Sequence, residues 1–273
     1  MIKEVLNNHN FKFNKQFGQN FITDTNLLDA IACDAKLSCD DTCLEIGAGA
    51  GTLTNVLAGK CKRVISYEID RNLKPILLET VTCPNVEFEF LDIMKQPISA
   101  LDQKIGCPYR VVANLPYYLT SPLITSFIEQ SKLAKSLTVM VQQEVADRLT
   151  AINDTKQYGA LTVCVQSVAD VSLTRRVSRN MFFPSPNVDS AVVNITINRD
   201  KFSILDLQLF KKVYKSAFAM RRKTLENNLA LSFKLSKDIC QQLFVKLGLN
   251  PLVRGEVLSI AQLVELSNLI FKL

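Results

Sequence analysis

The sequence contains a single histidine, no Cys-x-x-Cys pair, and no apolar run that approaches the length of a membrane span. His9 lies in a polar N-terminal stretch, where we expect a solvated side chain, so the sequence argues against a histidine-based catalytic triad or metal site. Cys39 and Cys43 lack the third nearby cysteine of a radical iron–sulfur motif, and we expect the eight cysteines to be buried, reduced thiols. The sequence therefore predicts no metal. Without an apolar signal sequence, we expect a cytoplasmic protein.

Length and composition indicate a globular protein with one large domain, or a large and a small one. The 273 residues include 48% apolar and 21% charged residues, which excludes a disordered or fibrous chain. Charge is unevenly distributed: residues 199–273 contain 13 Lys and Arg against 6 Asp and Glu, whereas residues 1–198 contain 19 and 20. A basic C-terminal part is typical of a region that binds a polyanion, although a solvated helical face would have the same composition.

Apolar runs rich in Val and Ile alternate with amphipathic stretches over the first 200 residues. This alternation predicts an α/β fold with a parallel sheet. The predicted strands are residues 42–48, 63–69, 86–92, 110–115, 137–141, 161–168 and 191–197. The predicted helices are residues 25–35, 52–58, 71–79, 122–130 and 143–151. The last two predicted strands have no clear helix between them, which suggests a hairpin-like edge of the sheet.

The pattern changes near residue 200, where Leu, Lys, Asn and Gln recur at helical spacing. We therefore predict a catalytic domain over residues 1–200 and a small, all-helical, basic domain of four or five helices over residues 201–273. Ser259 followed by Gln262 predicts the capping box of the last helix. If residues 206–223 were largely helical, Lys211, Lys215 and Arg222 would lie within about 40° on one face, where they could follow a phosphate backbone.

Three features at the ends of successive predicted strands indicate a nucleoside-binding cleft. The first is the segment LEIGAGAGTL at residues 44–53, in which the third glycine comes one place too early for the dinucleotide fingerprint. The second is Glu68, which lies 21 residues after Gly47, a spacing that suits a carboxylate accepting ribose hydroxyls. The third is Asp92 at the end of the next strand. Together they favour a ligand without a pyrophosphate, and S-adenosylmethionine is the obvious candidate.

The segment NLPY at residues 114–117 ends the fourth predicted strand and matches the pattern of enzymes that methylate exocyclic amino groups. The side chain of Asn114 and the backbone carbonyl of Leu115 can accept the two hydrogens of an adenine amino group, which directs its lone pair at the methyl group. Pro116 fixes the backbone, and Tyr117 offers a face on which a flipped base can stack. A simple turn before a proline would have the same composition.

These motifs resemble those of the bacterial small-subunit (16S) rRNA adenine dimethyltransferase family, the KsgA/RsmA type, over nearly the whole chain. Three further segments are similar to the family's N-terminal segment, its F-x-P-x-P-x-V stretch and the opening of its helical domain; they are KQFGQNFI at 15–22, FFPSPNVDS at 182–190 and AFAMRRKTL at 217–225. Ala48 stands where a proline is common, and Met220 where a glutamine is frequent.

The resemblance implies a Rossmann-like class I methyltransferase sheet and the dimethylation of two adjacent adenosines near the 3′ end of 16S rRNA, within the small subunit or its precursor. We also expect a monomer, although the sequence does not determine the oligomeric state. The resemblance implies donor contacts at Asn20, Ile22, Gly47, Glu68, Asp92 and Asn114. It implies a catalytic site at Asn114, Leu115, Tyr117 and Phe182, with Phe182 on the second face of the target base. The expected RNA-binding residues are Lys211, Lys212, Lys215, Arg221, Arg222 and Lys223.

Alternatives remain for both the substrate and the basic residues. A 23S rRNA adenine methyltransferase of the macrolide-resistance type would share the catalytic motifs, and an assembly factor could bind RNA without catalysis. Arg221 and Arg222 could also pair with acids of the catalytic domain.

Overall fold

A computed structural model describes residues 2–14, 18–22 and 24–273, with side chains from residue 4 onwards. Residues 15–17, part of the predicted N-terminal motif, lie outside the described residues. Among the described helices, none combines the length and apolar character needed to cross a membrane.

The described strands form a seven-stranded sheet and a separate two-stranded ribbon. The strands are β1 (Phe21–Ile22), β2 (Thr42–Ile46), β3 (Arg63–Tyr67), β4 (Val86–Glu89), β5 (Tyr109–Asn114), β6 (Ala134–Gln142), β7 (Ala169–Val177), β8 (Phe182–Phe183) and β9 (Ser190–Ile197). The order in the large sheet is β4-β3-β2-β5-β6-β9-β7, with β2 to β6 parallel and β9 antiparallel to β6. The predicted Rossmann-like α/β class is confirmed.

Helices connect and follow these strands. They are α1 (Ile2–Asn8), α2 (Thr25–Asp34), α3 (Thr52–Ala58), α4 (Lys74–Thr80), α5 (Ile98–Ile105), α6 (Thr120–Gln130), α7 (Gln143–Leu149), α8 (Ala160–Gln166), α9 (Leu207–Ala217), α10 (Leu225–Phe233), α11 (Lys237–Lys246) and α12 (Ile260–Phe271). The predicted capping box of the last helix is present: the Gln262 amide donates to Ser259 Oγ at 3.2 Å, and Gln262 Oε1 accepts from the Ser259 amide at 3.0 Å.

The central strands are buried on both faces, which is why they read as continuous apolar runs. Every residue of β2 is buried, and one apolar cluster packs α2 and α3 against the sheet around Ile31, Leu57, Val64 and Val112. Because β2 is fully buried, it holds the glycine-rich turn that directly follows it in a defined position.

The prediction of a strand at residues 161–168 is wrong, because these residues form α8. The helix is buried along most of its length, from Leu161 to Val165, so its apolar run resembles a buried strand. Its start is marked by the Gly159 amide, which donates to Thr162 Oγ1 at 3.2 Å. The strand at the sheet edge is instead β7, whose burial alternates along its length as expected of a half-exposed strand. Helix α5 was not predicted.

The chain divides into two compact units, and the division is not sequential. One unit comprises residues 1–146 and 171–197, and the other comprises residues 147–170 and 198–273. The predicted boundary at residue 200 therefore leaves out one part of the second unit: residues 147–170, which include α8, belong with the C-terminal helices.

Two expectations about unusual residues need correction. His9 is only partly solvated: its Nε2 lies 2.6 Å from Glu79 Oε2, and about a quarter of its side chain is exposed. The eight cysteines are all free, as expected, but only four are buried: Cys33 and Cys39 are exposed, and Cys83 and Cys107 are half-buried.

Candidate active site

The predicted site residues lie together at the point where the strand order of the sheet reverses. Chain order runs outward from β2 through β3 to β4, and then returns to β5 on the other side of β2. In open α/β sheets this switch point leaves a crevice at the carboxyl ends of the strands. Gly47 follows β2 and Asn114 ends β5, and a Cβ atom built on Gly47 would lie only 3.5 Å from the Asn114 carbonyl oxygen.

The glycine-rich turn brings its backbone close to neighbouring groups. Gly47, Gly49 and Gly51 all have positive φ, between 58° and 85°, which is strained for residues with a side chain. A Cβ atom on Gly49 would lie 2.8 Å from the ring of Phe21, which has no room to move because it is buried. The glycines are therefore required by the shape of the turn, and Gly51 then caps α3.

Glu68, at the end of β3, is bound to this turn. One carboxylate oxygen accepts from the Gly49 amide and the other from the Asp70 amide, both at 2.8 Å. The side chain is buried, and burial raises the pKa of Glu68, although the two backbone hydrogen bonds oppose the rise. Each oxygen keeps a second lone pair that can accept a ligand hydroxyl.

Asp92 follows β4 in the corresponding place. Its Oδ1 accepts from the Met94 amide at 3.0 Å and so caps the short helical turn Ile93–Lys95. The bond holds the carboxylate at the cleft wall between Leu91 and Ile93, with Oδ2 remaining for a ligand donor.

The sequence did not single out Glu45, which carries the most unusual electrostatics near this cleft. Glu45 is fully buried in β2; its Oε2 accepts from Thr54 Oγ1 and Ser66 Oγ, both at 2.6 Å, and its Oε1 has no partner. Burial raises the pKa of Glu45 to about 7, with a further contribution from the charge of Glu68, although the two hydroxyl bonds lower it. A lone acid within an apolar strand was the only available signal.

The orientation of the Asn114 side chain follows from one hydrogen bond. Its Nδ2 donates to the backbone carbonyl of Asn20 at 2.9 Å. The amide group is thereby fixed, and Oδ1 is the atom remaining to accept a hydrogen bond. Asn20 in turn donates from its side chain to the Gly18 carbonyl at 3.1 Å, so the N-terminal segment and β5 are joined at the site.

The aromatic residues of the predicted site lie at the same cleft. Tyr117 is half-buried, and its hydroxyl forms a 2.9 Å hydrogen bond with Ser190 Oγ, which fixes the ring position. Phe182 is buried in β8 and pairs in register with Ile22 of β1. Leu115, also buried, completes the turn after β5.

Together these elements line one cleft that opens to solvent. Its lining includes every predicted catalytic residue and all the predicted donor residues except Ile22. Ile22 and Phe182 both belong to the buried apolar core, and of the two only Phe182 also lines the cleft. Two carboxylates at strand ends, a turn that presents the glycines Gly47 and Gly49 to the cleft, and apolar walls suit a nucleoside with a short charged tail. The cleft therefore fits S-adenosylmethionine.

Sequence and structure comparisons agree with this geometry. The family model for the ribosomal RNA adenine dimethylases matches residues 10–272. The chain belongs to the ribosomal RNA adenine dimethylase family. It is therefore an rRNA methyltransferase that depends on S-adenosylmethionine. The described residues hold no grouping of three or more His, Cys, Asp and Glu side chains that could bind a metal ion.

Individual members and relatives of the dimethylase family support the assignment. The Ribosomal RNA small subunit methyltransferase A of Clostridioides difficile (strain 630) is 41% identical over 98% of this chain and 94% of its own length. A dimethyladenosine transferase from Plasmodium falciparum has a TM-score of 0.79 at 25% identity, covering 92% of this chain and 98% of that one. The 23S rRNA methyltransferase ErmE shares the fold, with a TM-score of 0.71 at 24% identity, covering 91% of this chain and 98% of that one.

The basic residues of this dimethylase family member lie in its second compact unit, in two different local structures. Lys211, Lys212 and Lys215 are on α9, with Lys212 and Lys215 exposed. The condition that residues 206–223 are largely helical is not met for Arg222, because α9 ends at Ala217, and Arg222 is therefore not part of the same helical face.

The exposed turn after α9 contains the other three basic residues, Arg221, Arg222 and Lys223. Arg221 donates to the backbone carbonyls of Lys156 and Tyr158, at 3.0 Å each. These acceptors belong to the same compact unit. The turn is therefore held against the 147–170 segment by hydrogen bonds from Arg221 to backbone carbonyls. The alternative interpretation had Arg221 pairing with acidic side chains of the catalytic domain.

Proposed function

We propose that this protein transfers two methyl groups to the exocyclic amino nitrogen of each of two adjacent adenosines near the 3′ end of 16S rRNA. The relative named for the small ribosomal subunit is 41% identical over nearly the whole chain, whereas the 23S enzyme is 24% identical. This difference favours the small-subunit RNA, bound within the subunit or its precursor in the cytoplasm. We propose that the protein acts as a monomer.

The observation that carries the proposal is the fixed orientation of Asn114. Since its Nδ2 is bound to the Asn20 carbonyl, Oδ1 accepts one hydrogen of the adenine amino group. The backbone carbonyl of Leu115 accepts the other. These bonds draw the nitrogen lone pair out of conjugation with the ring and direct it at the methyl group, which is an effect on the transition state rather than on binding.

Tyr117 and Phe182 hold the target base between them. Their rings lie in the same cleft lining as Asn114, and the bond from Tyr117 to Ser190 prevents the ring from turning away. A base removed from its stack loses its neighbouring bases, and two aromatic faces replace them.

The methyl donor occupies the part of the cleft formed by the first three strand ends. Glu68 accepts from the ribose hydroxyls, Asp92 accepts from the donor's adenine amino group, and the Gly47 turn and Asn20 approach the rest of the molecule. When bound, S-adenosylmethionine supplies a methyl group on a cationic sulfur.

The methyl transfer needs no general base on the protein. The nitrogen lone pair forms the new bond to carbon, the carbon–sulfur bond breaks with its electrons returning to sulfur, and a neutral thioether leaves. The resulting ammonium is acidic and gives its proton to water. What this chain contributes is alignment in a partly water-excluded cleft.

A two-part experiment tests the proposal. Labelled donor is incubated with the protein and either undermethylated 30S particles or naked 23S rRNA, and the RNA is digested to nucleosides. We expect labelled N6,N6-dimethyladenosine from the 30S particles alone. Label in 23S rRNA, or no label in either, would contradict the proposed substrate.

A variant of Asn114 tests the mechanism. We expect Asn114→Ala to lower the methylation rate at least about 100-fold, as for loss of an oriented hydrogen bond in the transition state, with little change in the affinity for 30S particles. Asn8→Ala, an exposed asparagine at the end of α1, is the matched control and should keep full activity. Equal losses of rate and RNA affinity in Asn114→Ala would show that the residue serves binding.

A further inference from the structure

Three large apolar side chains line the cleft and yet remain exposed. They are Ile69, Leu91 and Tyr118, with 36%, 40% and 56% of their surface accessible. Ile69 follows Glu68 and Leu91 precedes Asp92, so both flank the carboxylates proposed to bind the donor. Exposed apolar surface within a concave site is surface that a ligand covers when it binds.

Tyr118 differs from its neighbour Tyr117 in what it faces. Both belong to the short helical turn Tyr117–Leu119, but the Tyr117 hydroxyl is bonded to Ser190. The ring of Tyr118 faces the N-terminal segment: a Cβ atom built on Gly18 would lie 3.8 Å from its Cε1 atom. Tyr118 and Asp92 line the same cleft; partial burial raises the pKa of Tyr118, and the charge of Asp92 adds to the rise.

We propose that the ring of Tyr118 covers the adenine of the methyl donor and is a binding residue for the donor rather than for the RNA. This inference rests on the proposed function, since it takes Asp92 as the acceptor for the donor's adenine amino group. Gly18 lies beside the ring and Asp92 lines the same cleft, whereas the hydroxyl of Tyr117 is bonded to Ser190. A purine is flat and apolar on its faces, so an aromatic side chain at the open side of its pocket removes both surfaces from water.

Gly18 is part of the same arrangement. Its φ of +56° lies in the left-handed region, and the position built for a Cβ there is 3.5 Å from Pro116 Cβ and 3.8 Å from the Tyr118 ring. The N-terminal segment therefore lies against the tyrosine, and the left-handed backbone is what favours glycine at residue 18. The ring is thus supported on one side and left with its other side open for the ligand.

The first test measures the affinity for S-adenosylhomocysteine, which carries the adenine but no reactive methyl group. We expect Tyr118→Ala to weaken this affinity about 5- to 150-fold by calorimetry, the range for loss of one base–aromatic stack. Tyr118→Phe should stay within about twofold of the wild type, because the ring does the binding. Leu78→Ala removes a side chain that is 62% exposed and does not line the cleft, and it should have no effect.

The second test uses the absence of tryptophan from the sequence. Tyr118→Trp creates a single fluorophore at the proposed binding position, and we expect S-adenosylhomocysteine to quench its emission at the concentrations that saturate binding. Unchanged emission together with unchanged affinity in Tyr118→Ala would overturn the inference. In that case a raised KM for 30S particles in Tyr118→Ala would assign the ring to the RNA.

The proposed function and the proposed role of Tyr118 can be refuted separately. If the wild-type protein bound no S-adenosylhomocysteine, the proposed function itself would be wrong. If the wild type bound it and methylated 30S particles while Tyr118→Ala kept its full affinity, only the role of Tyr118 would be wrong.

Discussion

Replacing Glu45 with glutamine should change how the stability of this protein depends on pH. Glu45 is fully buried, and its pKa is raised to about 7 because burial disfavours the charged carboxylate. Glutamine has nearly the same shape, and its carbonyl oxygen can still accept from the hydroxyls of Thr54 and Ser66. It cannot lose a proton, however, so the variant removes the titration and retains the packing.

The direction and size follow from proton linkage. Between the ordinary pKa of 4.5 and the folded value of about 7, the folded state keeps a proton that the unfolded state has lost. The folded state therefore binds more protons in this window, and its stability falls as pH rises. At 1.36 kcal/mol per pKa unit, the full loss is about 3 kcal/mol, with most of it between pH 5 and pH 7.

Urea denaturation followed by circular dichroism measures the effect at several pH values from 5 to 8. We expect the free energy of unfolding of Glu45→Gln, relative to wild type, to rise by about 2 to 3 kcal/mol across this range. Glu144→Gln, which changes an exposed glutamate on α7, is the control and should remain parallel to wild type. A constant difference between Glu45→Gln and wild type would mean that Glu45 does not titrate in this range, and the reasoning from burial would be refuted.

Two further predictions concern the target base and the RNA. Tyr117→Phe should keep most of the methylation rate, because the ring is retained, and should lose about 1 kcal/mol of stability with its hydroxyl bond; a rate as low as that of Tyr117→Ala would show that the hydroxyl has a catalytic part. Replacing Lys211, Lys212 and Lys215 together with glutamine should reduce rRNA affinity and flatten its logarithmic salt dependence by about 0.7 to 0.9 for each phosphate that the variant no longer neutralises. The donor affinity of this triple variant should stay unchanged; an unchanged salt slope would place the RNA elsewhere.

Much of the site could be predicted from short stretches of sequence because its chemistry comes from the ends of consecutive strands. Gly47, Glu68, Asp92 and Asn114 each follow an apolar run, and the rule that parallel strands end at one edge is sufficient to bring them together. The early strands were predicted closely for the same reason: an apolar strand between turns is specified by residues near one another in the chain.

Helical boundaries and buried helices were harder to predict. The strand predicted at residues 161–168 is replaced by the helix α8. Because α8 is buried along most of its length, its sequence is a continuous apolar run, which fits a buried helix as well as a buried strand. Similarly, the basic residues at 221–223 follow Lys215 closely in sequence but lie beyond the end of α9 at Ala217. Periodicity alone does not show where a helix ends.

What the sequence by itself determined was the class of fold, the family motifs and the types of residue at the cleft. Only the tertiary structure decided which atoms they present. The Asn114 amide is oriented by a carbonyl 94 residues earlier in the chain, at Asn20, and Glu45 acquires its raised pKa from burial and from Glu68 on the next strand. Hydrogen bonds and desolvation depend on neighbours in space, and those neighbours come together only when the chain has folded.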